Sequence, residues 1–354
     1  MINWIPRKEI DHENIQELLK PSLEKNQFTN YGPNVQLLEK EIKQMFEVED
    51  HKSVIAVSNG SVAIHILSAA LEIYHKKPIN WATQSFTFPP SAQMGLKNAS
   101  IVDIDNDGGI DLDKLEDYIK PTADVGIVVT NVFGNLVNID KYESWAKAEN
   151  RFLIFDNAAT SYTFYKNRNC INYGVGSTIS FHHTKPFGFG EGGAIIVDKQ
   201  YEDAVRSLTN FGIGYSSEYF LREGTNGKMS DVSAVYILSH LYHNFEKIVT
   251  IHSQLYNYTC EKIKKYEGVK LFPSYHDKDS KIVPSCLTFV FDKYDKKYET
   301  KLLNNHIFCR KYYYPLKKTE VSEQLFNSIL CVPCTTEMTT DCIDTIFELL
   351  FDEN

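Results

Sequence analysis

Over the first two-thirds of this chain, short apolar, β-branched runs take turns with stretches of helical periodicity, and that alternation constrains the fold more than any other feature. The strand candidates are Ser53–Val57, Ile101–Asp103, Gly126–Thr130, Phe152–Phe155, Thr178–Phe181 and Ala194–Val197. Helix-like stretches lie between several of them, at Val62–Tyr74, Leu112–Ile119 and Tyr142–Glu149. Helices and strands must each bury an apolar face. The alternation therefore predicts an α/β fold, a mostly parallel sheet with helices on both faces. Such sheets bind ligands at the carboxyl ends of their strands, beside helix N-termini. From about Ser230 the texture changes. A long helical pattern runs from Asp231 to roughly Tyr266, strand candidates follow at Cys286–Phe291 and Ser328–Val332, and a closing helix covers Thr340–Phe351. This reads as a large domain over residues 1–235 and a smaller α+β domain over 236–354.

Composition narrows the function classes. The 354 residues suffice for two domains, and 43 % hydrophobic residues argue for a packed core. A net charge of −9 speaks against a general nucleic-acid binder. It leaves room for an anionic small molecule in a locally positive pocket. The first residues, MINWIPRKEIDHENIQ, carry charges where a signal peptide has its apolar segment. No run of about 18 apolar residues offers a membrane span. Seven scattered cysteines, an odd number, suit reduced thiols. A cytoplasmic protein with neither membrane nor nucleic-acid partner is expected. Cys331-Val-Pro-Cys334 has CxxC spacing but no second pair at zinc-site spacing, so no metal is expected and the two read as small buried residues near a strand end.

Three stretches carry chemistry. In Ser180-Phe-His-His-Thr-Lys185-Pro-Phe-Gly-Phe-Gly-Glu-Gly-Gly193, a lysine follows a strand and enters a segment with four glycines between 188 and 193. Glycine lets the backbone turn sharply and approach a ligand closely. A lysine held in a pocket loses its proton and becomes an amine that attacks carbonyls. A surface lysine before a flexible hairpin would look the same. Asp156 ends the apolar run Ile154-Phe155, at the edge where α/β sheets place ligands, and is suited to a cationic ring nitrogen, although taken alone it reads first as a helix N-cap. Val57-Ser-Asn-Gly60-Ser61 joins a strand to a helix N-terminus, an arrangement that binds anions through backbone N–H groups or is simply a capped turn. Together the three supply a phosphate cradle, an acid for a ring nitrogen and a lysine for an aldehyde. Those are the three handles of pyridoxal 5′-phosphate (PLP).

Further stretches give these handles a context. They are Thr29-Asn-Tyr-Gly32-Pro33 ahead of Leu38-Glu39, Ser85-Phe-Thr-Phe88, Val132-Phe-Gly134 leading to Asp140, and Asn226-Gly-Lys228-Met229-Ser-Asp231. With the lysine block they make the chain resemble, over nearly its whole length, the DegT/DnrJ/EryC1/StrS family of nucleotide-sugar aminotransferases of fold-type I. The resemblance implies a seven-stranded, mostly parallel sheet, a small C-terminal domain, and a homodimer with sites at the subunit interface. It implies that Lys185 holds the cofactor as a Schiff base and that Asp156 pairs with the pyridine nitrogen. Phe88 is implied to stack on the ring, Gly60, Ser61 and Ser180 to hold the phosphate, and Asn226 to reach it from the other subunit. His182 and His183 receive no catalytic role. One departure is visible. The family often reads Asp-Ala-Ala-His or Asp-Ala-Ala-Gln where this chain has Asp156-Asn-Ala-Ala159, which puts a hydrogen bond to the PLP hydroxyl in doubt. A dehydrating branch of the family carries histidine in place of the lysine, so Lys185 favours amination.

The tail Ile307-Phe-Cys-Arg310-Lys-Tyr312-Tyr-Tyr314-Pro315-Leu316 resembles members that aminate C4 of a dTDP-4-keto-6-deoxyhexose. Arg310, Tyr312 and Tyr314 are the candidate substrate contacts, and a basic, aromatic strand edge is the plain alternative. The expected reaction moves an amino group from L-glutamate to dTDP-4-keto-6-deoxyglucose, giving dTDP-4-amino-4,6-dideoxyglucose. C3 amination, a UDP- or GDP-linked sugar, an amino-acid substrate held by Arg310, and a non-catalytic regulatory protein of the same fold are the alternatives.

Overall fold

The computed structural model describes residues 1–119, 124–215, 219–273 and 280–351. The large sheet contains β1 (Lys52–Val57), β2 (Asn80–Gln84), β3 (Ser100–Val102), β4 (Val125–Thr130) and β5 (Phe152–Asp156). After a small hairpin, β6 (Phe164–Tyr165) and β7 (Arg168–Asn169), come its last two strands, β8 (Gly176–Ser180) and β9 (Gly193–Asp198). Their order is β1-β9-β8-β5-β4-β2-β3. Every pairing from β3 across to β8 is parallel, and β9 alone runs against both neighbours. The expected mostly parallel sheet is present. Registers Thr130↔Asp156 and Asp156↔Thr178 bring the carboxyl ends of β4, β5 and β8 level along one edge.

Helices cover both faces because side chains alternate along each strand. On one face Val54, Ala56, Ile127, Phe155 and Ile196 pack with residues of α2 (Pro33–Met45), α5 (Ile139–Ala148) and α7 (Asp231–Ile263). On the other, Ile55, Val57, Val128, Ile154 and Ile195 pack against α3 (Gly60–His75) and α6 (Glu202–Thr209). The first helix, α1 (His12–Lys25), lies against α2 and α7. The smaller sheet, β10 (Val269–Leu271), β11 (Cys286–Phe291) and β12 (Ile329–Pro333), is antiparallel. It shares a third core with α8 (Lys297–Asn304) and α10 (Thr340–Phe351), between which α9 (Glu320–Ser328) lies in the chain. The 235/236 boundary falls inside α7, whose residues up to Val249 belong to the first core and from Leu255 to the third. Among the described residues no helix is long and apolar enough to cross a membrane.

Two elements depart from the sequence reading. β2, which pairs with both β3 and β4, has the sequence Asn-Trp-Ala-Thr-Gln, without a β-branched run. It is tolerated inside the sheet because its polar groups are bonded: Gln84 donates to the Phe86, Gly108 and Thr130 carbonyls and accepts from Thr130 N–H. The helix expected over Leu112–Ile119 is one turn, α4 (Leu112–Leu115). Glu116 and Asp117 place negative charge at its C-terminal end, against the helix dipole.

The junction of α1, α2 and α7 hangs on one carboxylate. Fully buried Asp231 accepts from Ser22 Oγ at 2.6 Å, Asn34 N–H at 2.9 Å and Val35 N–H at 3.0 Å. It thus caps α2, whose own cap residue, Gly32, has no side chain to offer. A Cβ on Gly32 would meet Asp231 Oδ1 at 2.5 Å. Asp231→Ala leaves these buried donors unsatisfied and is expected to cost about 3 kcal/mol in urea unfolding. A loss below about 1 kcal/mol would show that water replaces the carboxylate.

Candidate active site

The lysine sits on a tight excursion between two strands. β8 ends at Ser180, and the chain returns to start β9 at Gly193. Phe181 N–H donates to Gly192 O and His183 N–H to Gly190 O, each at 2.8 Å. Lys185 N–H donates to His182 O at 2.8 Å, and Gly188 N–H closes the turn on Lys185 O at 3.0 Å. The turn packs on its own backbone: a Cβ at Gly188 would stand 2.2 Å from His182 O and 2.4 Å from Phe181 O. His182 Nδ1 pairs with Thr184 Oγ1 at 2.8 Å, and His183 Nδ1 accepts from Gly190 N–H at 3.3 Å. Both histidines brace the turn. Burial lowers the pKa of the Lys185 amine, opposed by the charges of Asp156 and Cys286.

Asp156 is buried at the end of β5. Its Oδ1 accepts from Ala158 N–H at 3.0 Å and Thr178 Oγ1 at 3.5 Å, and its Oδ2 from Ser91 Oγ at 3.3 Å. Burial raises its pKa, against the pull of these bonds and of the Lys185 ammonium. Lysine and aspartate therefore act on each other in a poorly solvated site, each with its charged form disfavoured. The departure seen in the sequence lies next to this pair. Ala159 is buried and brings no polar group. Its neighbours are engaged in scaffolding. Asn157 bonds Asn131 and Ser177, each at 2.7 Å, and Thr160 Oγ1 bonds Asn131 O at 2.6 Å.

Beside this pair lies an anion cradle. Asn59 caps α3, accepting from Val62 N–H at 2.9 Å. The helix start is pressed against the strand ends: a Cβ on Gly60 would stand 3.1 Å from Ser180 Cβ, and one on Gly193 2.6 Å from Asn59 C. Gly60 and Ser61 thus bring first-turn N–H groups of a 16-residue helix next to the Ser180 hydroxyl. Ser180 Oγ accepts from His182 N–H at 3.2 Å, which leaves its own proton to donate outward. Donors for a phosphate, a carboxylate for a ring nitrogen and an amine for an aldehyde stand together, and this donor set fits PLP.

An aromatic wall completes the site. Phe88 is 55 % exposed, and its ring lies 5.8 Å from Tyr313. Tyr313 stacks on Phe133 at 5.2 Å and 8°. Burial raises the Tyr313 phenol well above its ordinary range, with the charges of Cys286 and Asp156 adding to the effect. Tyr313 is the site residue that sequence reasoning passed over. Three consecutive tyrosines look alike in a sequence, and only packing on Phe133 singles one out. The three substrate candidates flank it. Arg310 is exposed, its backbone paired with Cys331. Tyr312 meets Trp4 edge-on at 5.7 Å. Tyr314 is 70 % exposed and packs on Phe326 at 4.9 Å. Asn226 is exposed, in a stretch bridged to Asn210 whose Gly227 carbonyl accepts from Ser58 N–H at 2.7 Å. Cys331 and Cys334 are both buried, the first within β12.

Known proteins resemble this chain. The DegT/DnrJ/EryC1/StrS aminotransferase family is matched over residues 9–351. The dTDP-4-amino-4,6-dideoxy-D-glucose transaminase of Shigella dysenteriae is 28 % identical over 342 residues, 90 % of each chain. The UDP-4-amino-4,6-dideoxy-N-acetyl-beta-L-altrosamine transaminase of Campylobacter jejuni is 27 % identical over 369 residues, 96 % of each chain. The crystal structure of DesI in the presence of its TDP-sugar product agrees with a TM-score of 0.82 at 22 % identity, covering 97 % of this chain and 90 % of that one, and speaks for the shared fold.

Proposed function

The chain belongs to the DegT/DnrJ/EryC1/StrS aminotransferase family, and from that premise we propose that it moves an amino group from L-glutamate to C4 of dTDP-4-keto-6-deoxyglucose, giving dTDP-4-amino-4,6-dideoxyglucose. The enzyme is a PLP-dependent sugar-nucleotide aminotransferase. The observation that carries the reading is the mutually acting pair of half-buried Lys185 and buried Asp156 beside the Gly60–Ser61–Ser180 cradle. A regulatory protein of the same fold has no use for such a pair.

Bound there, PLP supplies an electron-withdrawing ring that acidifies the carbon bearing the transferred nitrogen. The remaining steps fall to the chain. Gly60 and Ser61 N–H groups and the Ser180 hydroxyl bind the phosphate. Asp156 holds a positive ring nitrogen, its own desolvation offset by that partner. The Lys185 amine, its pKa depressed by burial, takes a proton from the donor carbon and returns it one position away, as base and then acid. With the keto sugar the same amine works in reverse. Phe88 and Tyr313 form the wall against which a planar ring and a sugar would be held, shielding the amine from water.

The exposed Arg310 and Tyr314, with Tyr312, are assigned to the nucleotide-sugar side. The protein is assigned to the cytoplasm as a homodimer whose Asn226 reaches the partner's phosphate site. The relative from Shigella supports a dTDP-linked sugar, and the one from Campylobacter keeps a UDP-linked sugar as the second reading. The test loads the protein with PLP, adds L-glutamate, then offers dTDP-, UDP- and GDP-linked 4-keto and 3-keto sugars and reads product mass. A visible-edge band lost on adding L-glutamate, followed by the amino mass shift with the dTDP-4-keto sugar, is expected. Product with a 3-keto sugar alone refutes C4 amination.

A further inference from the structure

The turn that carries Lys185 is fastened by the first residues of the chain. Ile2 N–H donates to His306 O at 2.9 Å and Ile2 O accepts from Phe308 N–H at 3.0 Å, which lays the N-terminus along the small domain. Trp4 then meets Tyr312, and Arg7 N–H donates to Glu337 Oε1 at 3.1 Å. One residue later, Lys8 Nζ donates to the Lys185 carbonyl at 2.7 Å and also to the Gly188 carbonyl. Those carbonyls bracket the catalytic turn, and the first already accepts its closing bond from Gly188 N–H. Lys8 shares a narrow cavity with Thr184, Lys185, His240 and His252. No ion-pair partner for it stands among the described residues, and burial lowers its pKa to about 7. Leaving water without a countercharge is costly for an ammonium. The compensation in view is a pair of bonds to one turn, made across 177 and 180 residues of sequence.

We propose that Lys8 is a positioning residue. Its ammonium cross-braces the Lys185–Gly188 turn and ties it to the small domain through the strap of residues 2–8, so that the Lys185 amine is held within reach of both carbons between which it moves a proton. The proposal rests on the reading of Lys185 as the reactive amine. The hydrogen bonds of the Lys8 side chain go to main-chain oxygens of the turn, so it acts through Lys185 and is not itself catalytic.

Lys8→Met removes the donors and keeps the apolar stem, and Lys8→Arg restores donors for both carbonyls. Hydrogen exchange of the segment 182–188, measured with and without PLP, is expected to quicken about tenfold or more in Lys8→Met, while α3 and α10 keep their wild-type exchange. Lys8→Arg is expected to stay near wild type. The rate of the L-glutamate half-reaction is expected to fall about 100-fold in Lys8→Met, with the L-glutamate Kd within about twofold, because a misplaced amine loses rate rather than affinity. Exchange and rate both within about twofold of wild type in Lys8→Met overturn the proposal, as does quickened exchange spread evenly over the whole chain. If Lys8→Met does not fold, Lys8→Ala replaces it: a turn as protected as in Lys8→Arg overturns the proposal, and a loosened one supports it. A wild-type protein that ignores L-glutamate refutes the aminotransferase reading instead, and the exchange measurement still decides whether Lys8 braces the turn.

Discussion

Replacing Lys185 by Ala is expected to lower turnover by roughly 10⁴-fold, the loss expected when a positioned proton-transfer group is removed from a site that also needs it as a nucleophile. The fold is expected to survive. The bonds that shape the turn meet Lys185 at its main-chain atoms: Lys185 N–H to His182 O, and Gly188 N–H and Lys8 Nζ to Lys185 O. None needs the lysine side chain. Removing an amine whose pKa is depressed by burial also relieves a desolvation cost, so the thermal midpoint is expected to hold or rise. PLP is expected to remain bound through Ser180, Gly60, Ser61 and Asp156, without the absorbance band of a lysine-bound cofactor. Absorbance spectra with and without L-glutamate, steady-state rates and a thermal melt check all three points. Substantial turnover in the variant would remove Lys185 from the mechanism.

The second large effect belongs to Asp156→Asn, which keeps the shape and removes the charge. Losing a preorganised charge aimed at a cationic ring nitrogen is expected to lower the rate by about 10²- to 10³-fold. Stability of the cofactor-free protein should move the opposite way. Burial raises the Asp156 pKa above its unfolded value. Between those two values the folded protein binds more protons than the unfolded chain, so stability falls as pH rises through that window. At neutral pH the wild type therefore carries a penalty that asparagine lacks. The melting advantage of Asp156→Asn is expected to appear as pH climbs above about 4, the ordinary aspartate value, and to vanish below it. With PLP bound the order should reverse, because the carboxylate then meets a cation. Thermal melts of both proteins across this pH range, with and without PLP, test the sign. A rate within about fivefold of wild type would remove Asp156 from the electrostatics of the reaction.

Much of this site is legible in the amino-acid sequence, because its requirements are local. Glycine at 188 answers a backbone crowded by carbonyls a few residues away in sequence. Asn59, Gly60 and Ser61 are consecutive, and a strand, a capped turn and a helix start are written in their immediate neighbours. The β-branched runs of β4 and β9 announce buried strands by themselves. β2 does not, because Thr83 becomes acceptable inside a sheet only once Val128 arrives from elsewhere in the chain, and Gln84 only once Thr130 and Gly108 do.

The types and spacings of residues along this chain determined that it would fold as an α/β protein, that a lysine, an aspartate and a helix start would meet at one sheet edge, and that PLP chemistry would suit them. Periodicity, turn-forming glycines and side-chain chemistry are properties of short segments, and a sequence displays them directly. Tertiary structure decided the rest. It set Tyr313 rather than its neighbours against Phe133, brought Asp231 to the start of α2, and carried Lys8 to the Lys185 turn. Each of these depends on a contact between residues at least 177 apart in the chain, and only closing the fold decides which distant surfaces meet.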